Sequence, residues 1–318
     1  MLLILSNSED VTADYLASVL ARSDIEFVRL DTDTVLQRAT FAYEAGSPML
    51  CVDGVWYPPS RFSNVWYRRP ERLKHPQIDN SPEGRLVLDE WAEALEGFLA
   101  IIEEPKWINH PSRNVRASHK IEQLTRAASL GLTVPDTLVT QEPDRLSAFF
   151  ARHAGRVIVK PMASGYVERP EGERDSLIYT NRVSDAHLAD LDDLRGCPTM
   201  FQRFIDKQCD VRITIVDGRH HAVGLTAQEP DGSQRCDIRR NNMDDVIYQP
   251  VALTDEVRLR LESLVASYGL RFAAIDMAVT TDGEWVFFEV NPNGQWAWLD
   301  LAGAANIAAS FVDAFSRK

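Results

Sequence analysis

The chain has 318 residues, 45% of them apolar and 25% charged, a composition that can bury sizeable cores and excludes disorder as the main state. With 47 acidic and 34 basic residues the net charge is -13, which opposes general attraction to nucleic-acid phosphates or anionic lipid, so neither partner is expected. Cys51, Cys197, Cys209 and Cys236 form no CxxC pair, fitting a reducing cytoplasm better than a zinc cage or a secreted disulfide framework.

Leu2 to Leu5 is a short apolar run, Val11 to Ala21 has helical spacing, and Glu26 to Leu30 alternates, which together predict a βαβ opening. A dinucleotide site needs a GxGxxG turn after the first strand, but Ser6-Asn-Ser-Glu-Asp10 stands there with acids where pyrophosphate would sit. Val65-Trp-Tyr-Arg-Arg-Pro70 reads as a strand stopped by proline, with Trp66 and Tyr67 packing the first domain and Arg68 and Arg69 in solvent. Leu86 to Ile102 is an amphipathic helix, and the first domain closes near Pro105 to Pro111. One helix is predicted from Asn114 through Lys120 to a stop at Gly131, then an extended run from Val134 to Thr140 and a helix from Pro143 to His153. Val157-Ile-Val-Lys160 is a buried strand, Pro161 to Ser176 a polar loop with Gly165 and Gly172, Leu177 to Val183 a strand, Asp185 to Leu194 a short helix and Thr199 to Ile205 a further extended run.

Asp217-Gly218 and Asp282-Gly283 are two-residue hairpin signals. A two-residue turn at the second sets Asp276 opposite Glu289, and Asn291 keeps the same face two residues on. Opposed carboxylates on otherwise apolar strands repel and need a cation between them. An all-oxygen set of Asp276, Glu289 and Asn291 suits magnesium; a salt bridge to a nearby arginine, or one protonated acid, satisfies the same pair.

Lys160 ends a buried strand and opens a glycine-bearing loop, as an ammonium that meets phosphates under a lid would; a solvated strand end is the plain alternative. Lys120, on a helix face, carries less weight alone. Arg212 and Thr214 share one face of Asp210-Val-Arg-Ile-Thr214 and Val211, Ile213 and Ile215 the other, so Arg212 is either an anion ligand or half of a cross-strand ion pair. Arg239 and Arg240, in Cys236-Asp-Ile-Arg-Arg-Asn-Asn242, are an anion clamp or a solvated loop. His119, His220 and His221 are given no role.

Taken in order, the two lysines, the Gln202-Arg-Phe-Ile-Asp-Lys207 hinge, Asp210-Val-Arg212 and Phe287-Phe-Glu-Val-Asn-Pro-Asn-Gly294 resemble the ATP-grasp ligases. Trp66-Tyr-Arg-Arg-Pro70, Asn109-His-Pro111 before Ser118-His-Lys120, and Asn291-Pro-Asn-Gly-Gln-Trp296 resemble the graspetide synthetases, microviridin-type ligases that close side-chain rings on ribosomally made peptides. The resemblance implies an α/β (α+β) ATP-grasp fold: an N-terminal α/β domain (1–112), a central lid (113–198) and a C-terminal antiparallel-sheet domain (199–318). It further implies that Lys120 and Lys160 contact ATP phosphates, that Gln202, Arg203, Phe204 and Ile205 line the adenine with Lys207 near the ribose, and that Asp276, Glu289 and Asn291 hold Mg2+. Arg212 and Arg239, with Lys160, would steady the acyl phosphate and the oxyanion. Asp237-Ile-Arg239 departs from the pattern, with isoleucine where these ligases often carry tryptophan. The partner so implied is a precursor peptide with leader and core, whose Asp or Glu side chains are joined to Ser or Thr hydroxyls or Lys amines, and the enzyme would be a homodimer. A ligase that adds a free amino acid to a peptide or small acid, and a non-catalytic ATP-binding module, are the alternatives.

Overall fold

A computed structural model of the chain describes residues 1–317 apart from 164, 168, 170–172, 231 and 241–242. Gly172 of the predicted polar loop, and Asn241 and Asn242 of the arginine segment, lie outside the described residues.

Leu2–Ser6 is buried throughout because it lies between two parallel neighbours, Phe27–Asp31 and Asn64–Tyr67, with Trp107–Ile108 completing the sheet. A parallel strand covered on both faces requires a continuous apolar run rather than alternation, and Leu2-Leu-Ile-Leu5 supplies one. Where a phosphate-binding turn would stand, Asp10 caps helix Val11–Arg22 by accepting from the N–H groups of Thr12 and Ala13 at 3.0 and 3.3 Å. The antiparallel sheet Ala39–Glu44, Ser47–Val52 and Val55–Tyr57 packs with helix Pro82–Ala100 around Phe62, Leu95 and Phe98.

The predicted helix from Asn114 to Gly131 is two helices, Pro111–Ala117 and Lys120–Ser129, because the backbone turns extended at His119 (φ -91°, ψ 104°). Lys120 thereby becomes the first residue of a new helix. Thr137–Thr140, Val157–Lys160, Asn181–Arg182 and Thr199–Arg203 form an antiparallel sheet with its own small core of Leu146, Phe149, Val157, Val183 and Phe201. The strand predicted over 177–183 is two short pieces, Ser176–Leu177 and Asn181–Arg182. The predicted helix 185–194 is a single turn, Asp185–Leu188, followed by a 3-10 turn, Asp192–Gly196. Asp190, Asp192 and Asp193 compete for backbone groups there and weaken a longer helix.

The last sheet is antiparallel, in the order Ile247–Pro250, Arg219–Thr226, Lys207–Val216, Phe272–Thr280, Trp285–Asn291. Helices Lys120–Ser129 and Asp255–Tyr268 cover the face that carries Val211, Ile213, Ile215 and Ile275. Phe272 and Trp296 pack with Phe311 of helix Ile307–Ser316 in a core that also contains Leu2, Ile4, Trp66 and Ile108. Residues 1–112 and the carboxy-terminal segment therefore share one core, while the middle sheet, which runs on to Arg203, has its own. No helix among the described residues is long and apolar enough to cross a membrane.

Candidate active site

Both hairpins form, but only the first has the expected two-residue turn. At Asp217-Gly218 both residues have positive φ (49° and 83°) and Val216 pairs with Arg219, a two-residue turn of the type that matches strand twist. At Asp282-Gly283 the Thr280 N–H donates to the Glu284 carbonyl at 2.9 Å, so the loop has three residues, and the strands run one residue off the two-residue register as far as Met277 opposite Phe287. Phe288 is then an extra residue, a β-bulge, and beyond it the predicted register returns: Asp276 opposite Glu289, Ala274 opposite Asn291. The ring of Phe288 lies 5.8 Å from the Lys160 ammonium.

Pairing of Lys207–Val216 with Phe272–Thr280 sets Arg212 beside Asp276, so Arg212, Asp276 and Glu289 form one row across three strands. Arg212 pairs with Asp276 at 3.0 Å, Lys120 donates to Glu289, and the Asn291 amide donates to Asp276 at 3.3 Å and Glu289 at 3.0 Å. Burial pushes the Asp276 carboxyl up to about 6, with Arg212 opposing and Glu289 adding. Burial acts on Glu289 in the same direction, but Lys120 and Lys160 outweigh it and hold that carboxyl below the usual range. Burial lowers Lys160 to about 8 against the pull of Glu289.

Among the described residues no group of three or more His, Cys, Asp and Glu side chains could hold a metal ion. Two carboxylates and an amide fit magnesium, whose octahedron is completed by phosphate oxygens and water. The pair also exists as two ion pairs, so the sequence's two readings of the carboxylates share one set of atoms.

Of the other predicted residues, Gln202 is buried on the middle sheet, donating to Thr137 Oγ1 at 2.9 Å while its Oε1 has no hydrogen-bond partner among the described residues. Arg203 is exposed, Ile205 is buried, and the Phe204 ring lies 3.8 Å from the Arg182 guanidinium. The Lys207 ammonium is engaged by both oxygens of Asp210 at 2.8 Å and by the Cys236 carbonyl at 3.1 Å. Arg239 is gripped by Asp237 through Nε at 2.9 Å and Nη2 at 2.7 Å, and Asp237 also accepts from the Thr180 N–H at 3.0 Å, tying the arginine to the middle sheet. Hydrogen bonding to Asp237 raises the guanidinium pKa further, so Arg239 keeps a fixed charge.

Several supporting residues escaped the sequence reading. Gln123 is buried and bonds both main-chain groups of Val290, accepting from its N–H at 3.0 Å and donating to its carbonyl at 2.8 Å. It closes the open edge of the strand that carries Glu289 and Asn291. Arg68, expected in solvent, is 1% exposed, pairs with Asp10 at 3.2 Å and donates to Gln295 Oε1 at 2.6 Å; Arg69 is exposed, as expected. Asn109 accepts from the N–H groups of Arg271 and Phe272, both at 2.8 Å, and donates to the Pro292 carbonyl at 3.0 Å. A buried amide three residues after Lys120, on the face of a helix otherwise lined by Leu124 and Ala127, was the signal available for Gln123.

An antiparallel sheet with an Asp and Glu-x-Asn row, a lysine from a helix and a second lysine from a separate small sheet accompany matches that make the chain an ATP-dependent ligase of the ATP-grasp class, for which ATP and Mg2+ are the cofactors. The chain belongs to the family described as prokaryotic glutathione synthetase, ATP-grasp domain, whose model matches residues 122–284. In overall structure it is similar to the macrocyclase MdnC bound with precursor peptide MdnA from Microcystis aeruginosa MRC (TM-score 0.85, 25% identity, 99% of each chain covered). It is similar too to a Chryseobacterium gregarium RiPP-associated ATP-grasp ligase in complex with ADP and a leader and core peptide (TM-score 0.85, 26% identity, 99% of this chain and 96% of that one). Macrocyclase MdnB of Microcystis aeruginosa MRC matches at TM-score 0.78 and 28% identity over 100% of this chain and 99% of its own. No curated protein matches the sequence.

Proposed function

We propose that the protein is a graspetide synthetase: a ligase that closes rings on a ribosomally made precursor peptide by joining Asp or Glu side chains to Ser or Thr hydroxyls or Lys amines. The observation that carries this reading is similarity along 99% of both chains to a macrocyclase bound with its precursor peptide. In the first step a substrate carboxylate oxygen attacks the γ-phosphorus of ATP, the bond to the β-bridging oxygen breaks, and ADP leaves an acyl phosphate. In the second a hydroxyl or amine attacks the acyl carbon, loses its proton and expels phosphate, forming an ester or amide.

Lys120 and Lys160 are assigned to the ATP phosphates, and Gln202, Arg203, Phe204 and Ile205 to the adenine, with Lys207 near the ribose end. Asp276, Glu289 and Asn291 would hold magnesium, which when bound supplies positive charge to the phosphate oxygens. Arg212 and Arg239 would hold the acyl phosphate and then the oxyanion. Fixed guanidinium charges suit that task better than titrating groups, since the anion persists through both steps. Proximity within one bound chain favours closure over hydrolysis. The proposed units are 1–112, 113–198 and 199–318, and the enzyme is proposed to work as a homodimer in the cytoplasm, which supplies ATP and keeps its four thiols reduced.

The test is the intact mass of peptides encoded beside this gene after incubation with protein, ATP and magnesium. Loss of one water per ring supports the reading; gain of an amino-acid residue overturns it in favour of a free amino-acid ligase. ADP release without any change in peptide mass also counts against ring closure.

A further inference from the structure

The loop that follows the proposed metal ligand Asn291 is held from the other side of the molecule. Asn291 to Gly294 is a tight turn, the Gly294 N–H donating to the Asn291 carbonyl at 3.2 Å. Asn291, Pro292 and Gly294 occupy the first, second and fourth positions, where such a turn takes Asn, Pro and Gly. A Cβ on Gly294 would lie 2.3 Å from that of Ala274, so the turn is pressed onto the strand that carries Asp276.

Arg68 grips this turn. Its guanidinium donates to the Asn293 carbonyl and, at 2.6 Å, to Gln295 Oε1, which also accepts from the Thr12 hydroxyl. The other side of the guanidinium faces Asp10 at 3.2 Å, and Asp10 is itself fixed by the Ser6 hydroxyl at 2.8 Å and by the first N–H groups of helix Val11–Arg22. Arg69 adds a weaker bond to the Asn293 carbonyl at 3.4 Å, and Asn114 donates to Asn293 Oδ1 at 3.0 Å. A buried guanidinium is costly to desolvate. Gripping one short turn through two acceptors is a demanding use of such a group in a chain whose core could otherwise be apolar there.

We infer that Arg68 is a positioning residue through which the amino-terminal domain sets the orientation of Asn291, and with it the geometry of the magnesium site. This rests on the assignment of Asp276, Glu289 and Asn291 to the metal. Arg68 touches neither nucleotide nor metal in this scheme; it acts through the turn, as partners behind a metal ligand do.

The experiment measures Mn2+ binding in the presence of ADP by electron paramagnetic resonance, beside metal-free ADP binding, on the full chain. Arg68→Met should weaken Mn2+ by roughly 10- to 100-fold while leaving metal-free ADP affinity within about twofold, and Arg68→Lys, which can still reach the Asn293 carbonyl, should recover part of the loss. Unchanged Mn2+ affinity in Arg68→Met overturns the inference, as does an equal loss of metal-free ADP binding, which marks general loosening. Should Arg68→Met fail to fold, Gln295→Ala removes the acceptor that Arg68 shares with Thr12: weaker Mn2+ binding supports the inference and wild-type binding overturns it. Glu289→Gln run alongside separates the two levels. If it binds Mn2+ as the wild type does, the metal assignment itself has failed; if it alone loses Mn2+, only the role of Arg68 has.

Discussion

At Lys160 burial and function pull in opposite directions. An ammonium at the end of a half-covered strand has its pKa pushed down to about 8 by loss of water, and Glu289 restores only part of the difference. Its charge is present below that pH and fades above it, so the nucleotide phosphates proposed to meet it would be held less strongly as the solution becomes alkaline. KM for ATP should therefore climb between about pH 8 and 10, ATP binding should take up a proton in that range, and Lys160→Arg should flatten the climb. A KM that rises equally in both enzymes would show that some other group titrates. Glu289 carries the second residue-scale prediction: Glu289→Gln keeps shape but removes the charge that Lys120 and Asn291 address, and ADP formation should fall by about 100-fold or more. Undiminished turnover would take it out of the metal site. Glu289 stood out in the sequence because the hairpin register set it opposite Asp276, whereas Lys160 drew its expected role only from the resemblance to ATP-grasp ligases. Arg68 did not stand out, since an arginine after a strand looks the same whether it meets water or a buried turn 225 residues away.

The bulge at Phe288 shows how an element can reach an expected register for an unexpected reason. Turn chemistry at Asp282-Gly283 pointed to two residues, the loop has three, and the extra residue at Phe288 cancels the shift before Asp276 and Glu289 meet. Nothing in an apolar run such as Trp285-Val-Phe-Phe288 marks which residue is the extra one, so only the net register was accessible from the sequence. The break at His119 was hidden for a similar reason: apolar periodicity continues across it, whereas the cap geometry that separates the helices depends on backbone angles. Gln123 makes the element-scale case testable. Gln123→Leu would leave the N–H and carbonyl of Val290 without partners on a buried edge, at a cost of roughly 1–3 kcal/mol per lost interaction. Thermal unfolding should shift down by several degrees, and KM for ATP should rise as the strand carrying Glu289 loosens. An unchanged melting midpoint would mean that water satisfies that edge.

For the whole molecule, the partition of the core matters more than the order of the units along the chain. Leu2, Trp66 and Ile108 pack with Phe272, Trp296 and Phe311, so a fragment beginning at residue 113 should expose the carboxy-terminal side of that core and aggregate, whereas a soluble, folded fragment would show the shared core to be dispensable. Periodicity revealed each apolar face but not which distant face would cover it, and for that reason boundaries drawn from the sequence could not disclose a core common to the first and last segments. Charge shows a second contrast of scale. The chain as a whole carries -13, yet at the site Lys120, Lys160, Arg212 and Arg239 stand against three carboxylates among the described residues, Asp276, Glu289 and the Asp237 that grips Arg239. An acidic peptide approaching from bulk solvent is repelled at long range and attracted at short range. Salt separates the two, because the screening length falls from about 30 Å at 0.01 M to about 8 Å at 0.15 M while partly buried charges are screened much less. Raising ionic strength over that interval at fixed free magnesium should therefore lower KM for an acidic core peptide. A KM that rises instead would mean that the peptide is drawn in by a basic surface elsewhere rather than by the cations of the site.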